Sequence, residues 1–333
     1  MNEVETKDVG TTDLSAYMMK VIEELRRDRK PPAVHIYTCT LRSFIRFSDN
    51  GEEECSMPMQ EVFTPGRLKE YEQWMLLRKL TQNTISTYMR TLRAVYNRWM
   101  PPGTAEHNPR LFDDVYTGVV SQTKRALTAR QMEQLLEADL SGLSPQQQAV
   151  LAYFLLMFLL RGMPFIDLAH LRKRDMQDGR ITYSRPHKTD KPITVRIPRE
   201  ALALIAKYAD RHSASPYLFP ILDARIRDGW QSYRNYQDAL RHFNRKLGQV
   251  MSRLLPGVRV SSYTARHTWA TLAFHSGQPV GIISQALGHS SLRVTETYLK
   301  PFGNELVDKA NRQLIASVRK CKWKNETEYR AGL

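Results

Sequence analysis

Apolar residues recur at three- and four-residue intervals along most of the chain, the spacing of helices that bury one face. From Leu14 to Arg29 they predict a first helix, stopped by Pro31-Pro32, and a second from about Val34 to Phe47. Asp49-Asn-Gly-Glu-Glu-Glu reads as a loop. Thr64-Pro65 caps and starts a helix running to Leu77. Thr81 or Asn83 starts another that carries Ile85, Tyr88, Leu92, Val95, Tyr96 and Trp99 inward. Met100-Pro-Pro-Gly103 ends this all-helical region, and the polar stretch about Ser121–Arg125 reads as a linker into Leu127-Thr128, with Thr128 as N-cap. A helix led by Pro145 is predicted to reach about Met163, where Pro164 interrupts it because an internal proline loses a backbone hydrogen bond. Helical spacing resumes from Ile166 to Leu171.

The period then falls to two. Arg180–Ser184 and Ile193–Ile197 are β-branched, alternating runs joined by Arg185-Pro-His-Lys-Thr-Asp-Lys-Pro192, which predicts a β-hairpin with a basic loop. Helices follow near Arg199–Arg211, Tyr233–Met251, Ala265–Ser276, Val280–Leu287, Ser291–Tyr298 and Asn304–Arg319. The predicted fold is therefore mainly α with a small antiparallel β-sheet, in two domains: residues 12–118, a linker at 119–127, a second domain at 128–318 and a tail at 319–333.

Composition narrows the function classes. A hydrophobic share of 42% with 25% charged residues is that of a globular protein rather than a disordered chain. Cys39, Cys55 and Cys321 have no paired spacing, which argues against a disulfide framework and a zinc site and fits a reducing cytoplasm. The acidic first ten residues lack the order of a secretory signal, and the longest apolar run, Ala149–Leu160, is too short to span a bilayer. No membrane partner is expected. The net charge of +15 is unevenly distributed. Residues 1–120 hold 16 Lys+Arg against 17 Asp+Glu, and residues 121–333 hold 33 against 17. A polyanion is expected to bind mainly the second region, where cations that neutralise phosphates release counterions. A basic surface kept for solubility is the alternative.

The candidate chemistry lies in one C-terminal stretch. Tyr263-Thr-Ala-Arg266-His267-Thr-Trp-Ala-Thr is followed by Leu287-Gly288-His289 and then by Thr297-Tyr298-Leu299. An arginine and a histidine can donate to a phosphate as negative charge grows on it, and a tyrosine can attack its phosphorus. Ser261 and the hydroxyl residues after it suit a helix start, placing Arg266 near the positive end of that helix. His267 follows Arg266 and points about 100° around the helix, so it reads as a packing or hydrogen-bonding residue. Such a site needs no metal and no cofactor, because cations stabilise the phosphate and a phosphotyrosine link conserves the energy for resealing.

This run resembles the C-terminal half of the tyrosine recombinase, or phage integrase-like, family, whose pattern is His-x-x-Arg, Leu-Gly-His and then Tyr about nine residues later. Arg266, His289 and Tyr298 match, while Tyr263 stands in the first histidine's place. The resemblance implies that Tyr298 is the nucleophile and Arg266 and His289 are phosphate donors. Lys188, in the hairpin loop, is then the general acid for the leaving 5′ oxygen, with Lys191 the alternative if the register differs. Tyr263 can donate one hydrogen bond. The family's Gly-Leu-Arg-x-Ser-Glu-Leu type segment corresponds to Gly162-Met-Pro164-Phe-Ile-Asp167-Leu-Ala-His-Leu171, so Pro164 fills an arginine's slot. Arg161 is either its substitute or a structural partner of Asp167. This segment resembles a subgroup of recombinases from Bacteroides-type mobile elements and invertases in which that arginine is often missing.

The resemblance implies a helical core-binding domain that clamps DNA, a catalytic domain, and action as a homotetramer on double-stranded DNA at crossover sites from a chain monomeric when free. DNA-bending accessory proteins are possible partners, and the implied setting is the cytoplasm of a bacterium, at the nucleoid. The implied function is site-specific recombination through a 3′-phosphotyrosine intermediate and a Holliday junction, as integration, excision or inversion. A type IB topoisomerase-like enzyme, or a catalytically impaired DNA-binding protein of the same fold, remains the alternative.

Overall fold

The computed structural model describes residues 13–49, 57–120, 125–184, 192–299, 308 and 311–316. The chain divides into two compact units, Met1–Gln122 with Ile226–Arg234, and Thr123–Arg225 with Asn235–Leu333.

The first unit contains α1 (Leu14–Arg27), α2 (Pro31–Ser48), α3 (Met59–Val62), α4 (Pro65–Leu77) and α5 (Gln82–Trp99). Hydroxyls of Thr64 and Thr81 accept from backbone N–H groups in the first turns of α4 and α5, relieving donors that have no intrahelical partner. The two prolines after α1 open α2 as its first residues, where the missing N–H costs nothing. What ends α1 is Arg29, which turns left-handed at φ 53°. The core gathers Leu14, Met18, Phe44, Leu68, Tyr71, Met75, Met89 and the Ile85, Leu92, Val95 and Tyr96 face of α5. Tyr88 and Trp99 are only partly buried at its edge.

The second unit is built on α6 (Ala129–Leu136), α7 (Pro145–Leu159), α8 (Phe165–His170), α9 (Arg199–Tyr208), all but the first six residues of α10 (Gly229–Leu254), α11 (Ser262–His275), α12 (Val280–Leu287) and α13 (Leu292–Glu296). Capping boxes at Thr128 and Ser144 fix the starts of α6 and α7. Val150 to Met157 of α7 are all buried, as expected of a helix that is apolar on every side. A three-stranded antiparallel sheet runs in the order β1 (Met176–Gln177), β2 (Arg180–Tyr183), β3 (Ile193–Arg196). Ile181 pairs with Val195 and Thr182 with Thr194, so Ile181, Ile193 and Val195 enter the core on one face. The alternating pattern revealed β2 and β3. It missed β1, which is too short for alternation to register.

The end of α7 differs from the expectation. The helix stops at Leu159, and two successive left-handed residues, Arg161 at φ 61° and Gly162 at φ 68°, reverse the chain before Pro164 is reached. Pro164 instead precedes α8 as its N-cap residue. The reversal brings the Gly162 backbone against α11. A β-carbon there would sit 3.2 Å from the Arg266 Cα and 3.3 Å from both Arg266 Cγ and Leu287 Cδ2. The amide of Leu127 donates to the buried Thr268 hydroxyl at 2.9 Å, tying the entry of this unit to the same helix.

Gly162→Ala combines a left-handed φ with these contacts. We predict a loss of about 1–2 kcal/mol in unfolding free energy, or more if Arg266 is displaced. Denaturant titration measures it, and unchanged stability would contradict the close packing of this turn on α11.

Candidate active site

Arg266 lies in the second turn of α11 and is only 3% exposed. A guanidinium out of water needs hydrogen-bond acceptors, because the hydration it loses has to be replaced. Its Nη1 donates to the Gly162 carbonyl at 2.8 Å and its Nη2 to the Leu287 carbonyl at 2.6 Å. The first acceptor belongs to the turn after α7 and the second to the last residue of α12, so one side chain fixes three segments. Nη2 also lies 2.9 Å from His289 Nε2.

His289 follows Gly288, which is left-handed at φ 66° and ends α12, with the His289 amide donating to the Ser284 carbonyl at 3.0 Å. Since an arginine N–H only donates, Nε2 is the acceptor in that contact. The Nδ1 atom then carries the proton and donates to the Thr295 hydroxyl at 2.9 Å, a tautomer assigned from the hydrogen-bond network. Thr295 is fully buried on α13. It orients the imidazole, a contribution for which the sequence offers no signal beyond proximity.

Tyr298 follows α13. Its ring centroid lies 5.0 Å from that of His289 at an interplanar angle of 30°, and the Arg266 guanidinium carbon lies 5.5 Å from the ring centre. The three residues named by the motif, separated by up to 32 positions, thus meet at one point. His267, set aside on helical geometry, also meets it. Its ring lies 4.9 Å from Tyr298 at 33°, and Tyr263, one turn earlier and 46% exposed, lies 6.2 Å from His267. Tyr263 is therefore joined to the cluster through His267.

Arg161 stands at the margin. Its Nη1 donates to the Thr194 carbonyl of β3 at 3.4 Å. Arg161, Thr194, Trp269 and His289 line one open groove of about 1280 Å³. Lys188 and Lys191 lie outside the described residues, in the loop between β2 and β3. Among the described residues no cluster of His, Cys, Asp and Glu can hold a metal ion, and no helix is long and apolar enough to cross a membrane.

Comparisons with known proteins bear on this arrangement. Residues 13–113 match the phage integrase SAM-like domain. The chain is 24% identical over 285 residues to a tyrosine recombinase XerC of Halalkalibacterium halodurans, covering 86% of this chain and 91% of that protein. It is 28% identical over 177 residues to a tyrosine recombinase XerA of Thermococcus kodakarensis, covering 53% of this chain and 58% of that one. The fold resembles the Tn1549 transposon integrase solved with transposon right end DNA, with a TM-score of 0.64 at 15% identity over 91% of this chain and 99% of that one. It also resembles the XerH site-specific recombinase bound to a palindromic difH substrate, with a TM-score of 0.58 at 16% identity over 89% and 83%. Residues 125–305, more than half of the sequence and the part that carries Arg266, His289 and Tyr298, match the phage integrase family, and the chain belongs to that family of tyrosine recombinases.

Proposed function

We propose that this protein is a site-specific DNA recombinase that cleaves and rejoins DNA through a 3′-phosphotyrosine link to Tyr298. The observation that carries the reading is the convergence of a buried, carbonyl-held guanidinium, an oriented imidazole and a phenol at one point. The Tyr298 hydroxyl passes its proton to solvent and attacks the phosphorus. The bond from phosphorus to the 5′ oxygen breaks, and Lys188 gives that oxygen its proton. Arg266 lies where charge on the non-bridging oxygens grows. His289 reaches the same oxygens once its Nε2 is released from Arg266 and protonated. Rejoining is the reverse, with a 5′ hydroxyl attacking the phosphotyrosine, so no nucleotide cofactor is consumed.

DNA as the partner is supported by the charge of residues 121–333 and by relatives solved on DNA. The first unit, near neutral in total, concentrates cations locally. Arg42 and Arg46 of α2 and Arg78, just past the end of α4, line one pocket with Trp74 and Tyr88. We assign residues 12–118 to a core-binding domain and 128–318 to the catalytic domain. On the Gly162-Met-Pro164-Phe segment we assign the chain to the Bacteroides-type integrase and invertase subgroup. Paired-site assembly as a tetramer is supported by the last described helical residues, 311–316, where Leu314 is 63% and Ile315 45% exposed.

The decisive test uses half-site duplexes of randomised sequence, nicked so that the cleaved fragment diffuses away and the adduct is trapped. The full chain should yield a protein-linked strand whose sequence reports the site, and Tyr298→Phe should yield none while still binding DNA. An adduct that survives Tyr298→Phe removes the nucleophile assignment. On the recovered site, Arg161→Ala should slow single-turnover cleavage by about a hundredfold with little change in affinity if Arg161 turns from Thr194 to the phosphate. Normal cleavage by this variant leaves Arg266 as the site's one arginine. Deleting residues 303–333 should abolish paired-site complexes in a gel-shift assay and spare single-site binding. Intact pairing would exclude the tail from assembly.

A further inference from the structure

Tyr298 sits just past a helix of only five residues, where the backbone alone gives little control over a side chain. Its amide donates to the Thr295 carbonyl at 2.9 Å, its own carbonyl accepts from the Thr271 hydroxyl at 3.4 Å, and Leu299 enters a small apolar cluster with Ala270, Ile283 and Leu287. These contacts hold the main chain. They leave the plane of the phenol ring to whatever touches the ring itself.

We propose that His267 is a positioning residue for Tyr298, its imidazole packing on the phenol and fixing the plane from which the hydroxyl attacks. The two rings are 4.9 Å apart and tilted at 33°, within the centroid range of favourable aromatic pairs. His267 is adjacent to Arg266 on the rigid α11, so the group that meets the phosphate and the group that aims the nucleophile are referred to the same helix. His267, Ala270 and Thr271 form one face of α11, and each holds a different part of the Tyr298 segment: ring, following leucine, and carbonyl. Arg266, one turn before Ala270, donates to the carbonyls of Gly162 and Leu287, and its guanidinium carbon lies 5.5 Å from the centre of the Tyr298 ring. His289 stacks on Tyr298, but it is bonded to Arg266 and Thr295 and must change partners to serve the phosphate. His267 is the contact that can stay in place during that exchange. Tyr263, 6.2 Å away on the preceding turn, packs beside the imidazole at the exposed end of this row.

The role presupposes that Tyr298 is the nucleophile, and the experiment separates the two claims. Full-length wild type, His267→Leu, His267→Phe and Tyr298→Phe are compared on a half-site duplex recovered from the randomised pool. Adduct formation is timed under single-turnover conditions at saturating protein, and affinity is titrated separately. His267→Leu fills the space without a ring and should slow adduct formation by about tenfold or more, because small misplacements of a reacting group are costly. Its DNA affinity and unfolding midpoint should match the wild type. His267→Phe keeps a flat ring and should restore the rate to within about twofold. An unslowed His267→Leu protein overturns the proposal, and so does a His267→Phe protein as slow as His267→Leu, which would show that the imidazole nitrogens rather than the ring matter. An adduct persisting in Tyr298→Phe, or none in the wild type, would instead overturn the nucleophile on which the role depends.

Discussion

A guanidinium removed from water loses hydration worth several kcal/mol even after relaxation, and the protein has to return it through well-placed acceptors. At Arg266 those acceptors include two main-chain carbonyls from distant segments and the Nε2 of His289. The bonds cannot form unless the turn after α7, the end of α12 and the start of the α13 segment all close on α11. The same requirement explains the left-handed Gly162, since a side chain there would press on Arg266 itself. Correct closure of the second unit and correct placement of its chief cation are thus one physical event. Carbonyl dipoles hold the charge without neutralising it, which leaves it able to attract a phosphate.

The site around that cation is assembled on α11. Ala265 and Thr268 tie the helix to the main core and to the amide of Leu127. His267, Ala270 and Thr271 receive the segment of Tyr298, and the Arg266 guanidinium lies beside the same ring. Arg266 and the proposed nucleophile are therefore both located from one rigid element, and under the proposed function this fixes the relative position of the groups that set the barrier. The small size of α13 becomes intelligible in this light. A five-residue helix has little stability of its own, so its position is set by what it docks on.

Pro164 stands in the slot where the sequence pattern led an arginine to be expected, and in the fold it precedes α8 as the N-cap residue. Arg161, in the turn after α7, has its backbone beside the site while its side chain reaches the Thr194 carbonyl of β3. It therefore couples the end of α7 to the hairpin whose loop contains Lys188. The net charge of residues 1–120 proved a poor guide to their surface, because summed charge does not reveal that Arg42, Arg46 and Arg78 share one pocket with two aromatic rings.

The sequence by itself determined most of the helices, the two longer strands and the three residues at the centre of the site. Caps such as Thr64, Thr81, Thr128 and Ser144 act within a few residues of themselves, and the order Arg266, His289, Tyr298 is a property of spacing. Local reading erred where a residue's effect depends on its position in a helix. Pro31 and Pro164 looked like terminators and turned out to be a first residue and an N-cap. Periodicity gives the direction in which a side chain leaves its helix but not what lies in that direction. Only the tertiary structure could therefore show that His267 faces Tyr298, that Arg161 turns to β3, and that the carbonyl of Gly162, more than a hundred residues earlier, holds Arg266. Those contacts join segments far apart in the chain, and their partners are set by packing and by the need to solvate a buried charge, neither of which is encoded in local spacing.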